Sequence, residues 1–335
     1  MPTIHFLNVK EGDCSVIRHL SGRISVIDVC NAETVESTTS GAKSLETAMM
    51  AEAVRGTLGN FNQKSYPVNP IQYLDEHGIT SIFRYIQSHP DMDHMDGIKS
   101  LFEAFEPQNF WDTDNKKELD SSSWNSSPYN AEDWKFYKHL RDSDPEQDPK
   151  RLTLLSGANG KFWNQNENGS GGGDGIKVLA PTQTLVNSAN KSNDNYNDCS
   201  YVLLYRTHGH RIVFGGDSHD ATWEHILATW EKDVTDIDLL IAPHHGRDSG
   251  RSYGFLDVLK PTLTFFGNAR SEHLAYSEWS RRDLAIITNN QANCMVVDIG
   301  ADSMHLYVTH ETFAKKVNPS TYYDEDLKAW FAYVI

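Results

Sequence analysis

Ser88-His-Pro-Asp-Met-Asp-His-Met-Asp-Gly97 follows an apolar run and crowds His89, Asp91, Asp93, His94 and Asp96 into eight positions. His89 and Asp91 are two apart, so in an extended chain they face the same way. Asp93 and His94 are adjacent and must turn together on a loop to reach a second centre. This spacing suits two cations held close together. Unpaired buried carboxylates are costly, so ligands this dense on one short loop call for neutralising cations. The plain alternative is a solvated acidic loop with incidental histidines.

Working outward, residues 79–87 read as a strand that delivers this loop, and residues 97–105 as an amphipathic helix with Ile98, Leu101, Phe102 and Phe105 on one face. Upstream, a helix over 71–77 ends at Gly78. The chain opens with strands over 4–9, 14–18 and 23–28, joined by turns at Gly12-Asp13 and Ser21-Gly22. A loop and helix are expected over 33–58. Residues 112–175 are polar and read as an insertion with some helix, ending in Asn168-Gly-Ser-Gly-Gly-Gly-Asp-Gly175, a run too flexible to be core. Its aromatics Trp124, Tyr129, Trp134, Phe136, Tyr137 and Trp163 are expected to pack it down. Strands follow over 176–180, 200–205 and 211–214, the last two joined by Thr207-His-Gly-His210, whose histidines read as turn residues. Helices over 221–229 and 255–259 alternate with strands over 238–242 and 262–266, and a loop covers 268–273. The reading is one domain over 1–335, with a short C-terminal extension over 311–335.

Among 335 residues the formal net charge is −16, which argues against a broad electropositive face for long nucleic acid. Cys14, Cys30, Cys199 and Cys294 form no CxxC pair, fitting buried thiols in a reducing compartment. The start carries no basic and apolar leader pattern. The longest apolar runs fall far below the ~20 residues of a spanning helix. A cytoplasmic protein is expected.

Three distant groups share one grammar, an apolar strand followed at once by imidazole or carboxylate: His89 to His94, Asp217, and His244-His245. Strand ends are where α/β sites gather. Asp217, arriving after Gly215-Gly216, is placed to bridge two cations, since the glycines let backbones approach closely.

On these blocks the chain resembles the metallo-β-lactamase fold superfamily and, within it, the hydrolase domain of the ComEC-type DNA-uptake proteins. The residues that carry the likeness are Phe6-Leu-Asn-Val-Lys-Glu-Gly-Asp13 with Ile27-Asp28, Ser88-His-Pro-Asp-Met-Asp-His94 with Gly97, and Asn197-Asp-Cys-Ser200. Gly216-Asp217, Pro243-His-His-Gly246, Leu259-Lys-Pro261 and residues 267–273 continue it in the family's order. The resemblance implies an α/β fold, an αββα sandwich of two face-to-face β-sheets flanked by helices, with a dinuclear metal site at one edge. The superfamily writes its first block HxHxDH. Here Asp91 replaces the second histidine, as in ComEC-type proteins, and carboxylate oxygen favours harder ions such as manganese, or a less tightly held zinc. The third block usually supplies a histidine, where this chain has Asn197 and Asp198. Asn8 and Cys30 are further departures, read as packing.

The resemblance implies His89, Asp91 and Asp217 on one ion, with Asp198 or water completing it. It implies Asp93, His94, Asp217 and one of His244 and His245 on the other, the Pro-x-His-Gly spacing favouring His245. Two ions ~3.5–4 Å apart would share a hydroxide as nucleophile, oriented by Asp93. His273 aligns with a family histidine and is a candidate acid or substrate contact, although Leu274 follows where the family has Pro. Asp13 and Asp28 are candidates to orient the histidines, Asp13 reading equally as a turn cap. Asp96 reads as a helix cap or an outer contact, and Arg247, Asp248 and Ser249 as contacts to phosphate. The expected function is a metal-dependent phosphodiesterase or nuclease using two divalent ions, zinc or manganese, with a compact nucleotide-like phosphodiester favoured over long DNA. The alternatives are a lactam, lactone or thioester hydrolase of the same fold, and a non-catalytic module stabilised by metal.

Overall fold

Short apolar runs punctuated by turns give this chain many brief strands, and their inward faces meet in the middle of the molecule. The computed structural model describes residues 1–34, 61–120, 124–269 and 273–335. The loop and helix expected over 33–58 fall almost wholly outside these. The chain first lays down β1 (Thr3–Phe6), β2 (Ser15–Arg18), β3 (Ile24–Ile27), β4 (Arg84–Ile86), β5 (Asn109–Asp112) and β6 (Lys150–Thr153). It then builds a second sheet from β7 (Ile176–Ala180), β8 (Val202–Thr207), β9 (His210–Phe214), β10 (Leu239–Ile241), β11 (Leu263–Phe266) and β12 (Ile286–Thr288). Finally it returns to the first sheet with β13 (Met295–Ile299), β14 (Met304–Val308), β15 (Tyr323–Asp324) and β16 (Ala329–Val334). The sheet orders are β15-β16-β14-β13-β1-β2-β3-β4-β5-β6 and β12-β11-β10-β9-β8-β7.

Alternation along the strands makes four layers. Ile4, Phe6, Ile17, Ile27 and Ile86 of the first sheet face Leu203, Ile212, Phe214, Leu239 and Phe265 of the second, and the Phe6 and Phe265 rings stack at 6.2 Å. The opposite face of the first sheet, with Val16, Val26, Tyr85 and Phe110, packs on Leu74, Ile98, Leu101, Phe102 and Tyr137 of helices Pro70–Glu76, Ile98–Phe105 and Ala131–Asp142. The outer face of the second, with Leu204, Val213 and Leu240, packs on Trp223, Ile226, Leu256 and Trp279 of helices Asp220–Val234, Leu256–Leu259 and Tyr276–Ser280. This is the expected αββα sandwich. Each fully buried Leu, Ile or Phe contributes about 1.5–3 kcal/mol.

Three segments differ from the sequence reading. The strand expected over 79–87 is confined to β4, because Ile79 and Ile82 turn instead into the helix cluster. Residues 112–175 add an unexpected strand, β6, parallel to β5, while the expected helix is Ala131–Asp142, which Asn130 caps by accepting from the Glu132 N–H, with Trp134 and Tyr137 buried as expected. At the end of the glycine run Asp174 is buried, its Oδ2 accepting from Arg84 Nη2 at 2.6 Å. Residues 311–335 form a helix, Glu311–Val317, and the strands β15 and β16, of which β16 pairs antiparallel with β14. Among the described residues no helix is long and apolar enough to cross a membrane.

The layers place the ligand loops. β3 and β4 are parallel neighbours in one sheet, and β9 and β10 in the other. The segments after β3, β4, β9 and β10 carry Asp28, His89 to His94, Asp217 and His244-His245, so all four emerge at carboxyl ends of parallel strands.

Candidate metal centre

Asp217 is the hub. The Nε2 atoms of His94, His244, His89 and His245 lie 3.2, 3.6, 3.7 and 3.9 Å from its carboxylate oxygens. Asp93 Oδ2 is 3.5 Å from His245 Nε2, and Asp91 Oδ2 is 3.7 Å from His89 Nε2. Among the described residues, three sets of side chains have ligand atoms within 4.8 Å of one another: His89, His94 and Asp217; Asp93, His94 and His245; and Asp13, Asp217 and His245. Backbone geometry is tailored to this. His244 and His245 both take left-handed φ values, 53° and 56°, an uncommon state for bulky residues and one that clusters at functional sites. Gly12 is required by closeness: a Cβ there would sit 1.7 Å from the Asp93 carbonyl oxygen.

The outer contacts fix which ring nitrogen points inward. Asp28 accepts from Ser88 N at 2.7 Å, Ser88 Oγ at 2.5 Å and His94 Nδ1 at 2.8 Å. Because the Ser88 hydroxyl donates to Asp28, its oxygen accepts from His89 Nδ1 at 3.0 Å. Asp13 Oδ1 accepts from His245 Nδ1 at 2.9 Å. Each of these three rings therefore holds a proton on Nδ1 and turns Nε2 inward, so that giving up any Nε2 proton to a cation leaves the form a metal ligand needs. His244 is the opposite. Arg251 Nη2 lies 3.0 Å from its Nδ1; guanidinium only donates, so His244 carries its proton on Nε2.

The inward atoms are strained for partners. His89 Nε2, His94 Nε2, His245 Nε2 and Asp217 Oδ1 are buried and make no hydrogen bond, at a usual cost of about 1–3 kcal/mol each. Burial opposes the charge on Asp217, yet His94, His245 and His89 hold its carboxyl well below the usual range. Burial likewise disfavours protonated His94 and His245, but Asp217 and Asp28 raise the first well above its ordinary value. Asp13 and Asp217 carry the second up to about 10. Burial pushes His244 down to about 4, against Asp217. Unpartnered nitrogens aimed at a carboxylate, with acids in excess, are the donor set that divalent cations satisfy, and the residues fit such ions.

No family model matches the chain, and no curated protein matches it. Similar solved structures include Igni18, a novel metallo hydrolase from the hyperthermophilic archaeon Ignicoccus hospitalis, with TM-score 0.45 and 9% identity over 89% of this chain and 100% of that one. A diphosphatase from the PhnP family is similar with TM-score 0.42 and 12% identity, over 90% of this chain and 98% of that one. Metallo-β-lactamase SMB-1 is similar with TM-score 0.34 and 12% identity, over 73% and 78%.

Of the expected site residues, His89, Asp93, His94, Asp217 and His245 converge. Asp91 approaches His89 through one oxygen, while its other oxygen takes the Lys117 ammonium. His244 Nε2 lies 3.6 Å from Asp217, but the ring joins none of the convergent groups and its Nδ1 accepts from Arg251. Asp198 accepts from Thr222 Oγ1 at 3.3 Å and belongs to none of the convergent groups. His273 is exposed, on the loop whose backbone bonds to Asp248, and joins no convergent group. Asp13 and Asp28 act as orienters. Asp96 instead accepts from the Asn31 N–H at 3.0 Å, and Arg247 pairs its backbone with Leu274. Sequence reasoning missed Lys117, Arg251 and His219, whose ring stacks on His244 at 5.9 Å. It also missed the role of Ser88, although a hydroxyl directly before the first histidine was a local signal.

Proposed function

We propose that this protein is a metal-dependent hydrolase acting on phosphodiesters. The observation that carries the reading is the ring of three buried imidazoles, each locked with Nδ1–H outward and Nε2 unpartnered around Asp217. Asp93, His94, His245 and Asp217 would hold one divalent ion, zinc or manganese; His89, Asp91 and Asp217 would hold a second. When bound, such ions activate water near neutral pH and neutralise charge developing on the attacked group.

The chain's own residues do the rest. Asp28, Ser88 and Asp13 keep the rings in register and make them more basic donors. Asp93 faces the opening, a quarter exposed, where it can orient a water as well as ligate. His244 presents an N–H beside the centre, held by Arg251, and is suited to donate to a substrate oxygen. Asp91 supports phosphoryl chemistry and the narrower ComEC-type likeness, because a carboxylate oxygen in place of imidazole suits the harder ions. The net charge of −16 favours a compact substrate over a long polyanion.

Metal analysis together with turnover tests the reading. Bis-p-nitrophenyl phosphate, single-stranded DNA and a lactam would be assayed with manganese and with zinc. Turnover of the first and none of the lactam is expected. An enzyme with two bound ions and no phosphodiester turnover under either metal would end the proposal.

A further inference from the structure

Lys117 is held by its surroundings in a way a surface lysine is not. Its ammonium pairs with Asp91 Oδ1, and its side chain is only 20% exposed. Its carbonyl accepts from the buried Arg141 Nη1 at 2.8 Å, and its N–H donates to Asn115 Oδ1 at 3.2 Å. Asn115 is itself tied to the Tyr137 hydroxyl, and the preceding N–H, of Lys116, to Asn190 Oδ1 at 2.7 Å. The helices Ala131–Asp142 and Gln183–Ser192 thus clamp this stretch from both sides. The ammonium is delivered to one oxygen of Asp91 while the other oxygen faces His89.

Charge says what this does. Asp13, Asp28, Asp91, Asp93 and Asp217 bring five negative charges to the centre, and two divalent ions return four. Lys117 supplies the fifth positive charge. Arg251 stands behind His244, its donors going to Ser249 Oγ, the Ser218 carbonyl and His244 Nδ1 and not to a carboxylate of the centre.

We propose that Lys117 is a built-in cation that sets the net charge of the metal centre, weakening the ion beside Asp91 and strengthening the binding of an anionic substrate. The inference rests on the metal-dependent reading above and names a residue that tunes it. With Lys117 in place the loaded centre is neutral and admits a phosphodiester; without it the centre keeps an excess negative charge that attracts cations and repels anions. Because the pair is partly exposed, solvent screens the effect to about tenfold in each direction.

The test is two titrations of the full chain, manganese into the metal-free protein and inorganic phosphate into the loaded protein, with Lys117→Met and Lys117→Arg beside the unaltered chain. Lys117→Met should bind its weaker manganese ion about tenfold more tightly and phosphate about tenfold more weakly, and Lys117→Arg should behave as the unaltered chain does. Both affinities falling in Lys117→Met would show a merely structural lysine, and neither moving would show a bystander; either result overturns the proposal. A misfolded Lys117→Met leaves Lys117→Gln to carry the same opposite shifts. If the unaltered chain bound no ion, the metal-dependent reading itself would fail. If it bound two ions and Lys117→Met left both affinities unchanged, only the role of Lys117 would fail.

Discussion

Each end of β4 holds a buried polar cluster, and the two are built on opposite plans. At its first residue, Arg84 donates to Ser25 Oγ at 3.0 Å, to Asp174 Oδ2 at 2.6 Å and to the Phe162 carbonyl. Ser21 and Arg23 fill the other oxygen of Asp174, and His19 joins Ser25 at 2.7 Å. None of these side-chain atoms lacks a partner. Beyond its last residue, His89, His94 and His245 around Asp217 have every outward nitrogen bonded and every inward nitrogen without a hydrogen-bond partner. A buried cluster that closes on itself is a fastener, whereas one that closes outward and stays open inward is a receptor for something with charge.

The largest expected effect separates these plans directly. Asp217→Ala should lower turnover by on the order of a thousandfold or more and release bound ion, because it removes the carboxylate shared by all three rings. Ion content by mass spectrometry and rate on a phosphodiester would be read together. Full activity in this variant would break the assignment.

Next in size, Asp174→Ala should cost about 3–5 kcal/mol in urea unfolding, since it leaves Arg84 buried and uncompensated. Its ion content per folded molecule should be unchanged. A variant that lost ions as well would show that the two ends are not independent.

The two clusters also differ in how well the sequence announces them. His89, Asp93 and His94 were legible because a single loop carries them, and Asp217 and His245 because each follows a strand at once. The sandwich was legible only through the family resemblance that these blocks carry. The Arg84 cluster was not, since Arg84, Asp174, His19 and Ser25 are joined only by sheet pairing and by a glycine-rich segment whose composition reads as loop. Lys117 was hidden for the same reason: a lysine in a polar stretch gains meaning from Arg141 and Asn190, far along the chain. The preference for His245 over His244 came from spacing alone; the physical reason, Asp13 on one ring and Arg251 on the other, requires the fold.

Acidity gives a third, smaller contrast. His245 has its folded pKa raised from about 6.5 to about 10 by Asp13 and Asp217 against burial, so its contribution to stability is complete below pH 6.5 and fades as pH climbs toward 10. His19 is lowered to about 3 by burial and by Arg84, so its contribution is present above pH 6.5 and fades as pH falls toward 3. The ion-free protein should therefore melt lower at pH 9.5 than at pH 6.5. Ions replace the proton on Nε2, so the loaded protein should be spared that loss and ion affinity should rise with pH. Thermal midpoints of both forms at the two pH values would show the gap widening; a gap that narrowed would contradict the protonated centre.

The smallest effect is the most discriminating, because it asks whether an outer carboxylate orients a ring or also charges it. Asp13→Asn keeps the shape and still accepts the His245 Nδ1–H bond, but with no charge behind it. Ion affinity should fall about tenfold in Asp13→Asn and about a hundredfold in Asp13→Ala, within the range for such outer partners, as measured by calorimetric titration. Equal losses in both variants would mean that only the charge matters, and no loss in Asp13→Asn that only orientation does. At the other end of β4 the matching change, Ser25→Ala, removes a hydroxyl that accepts from Arg84 and donates to His19 Nε2 and should cost about 1–3 kcal/mol of stability with no change in ion affinity. Two outer contacts of similar geometry would then be told apart by what lies behind them, a closed network in one case and an open lone pair in the other.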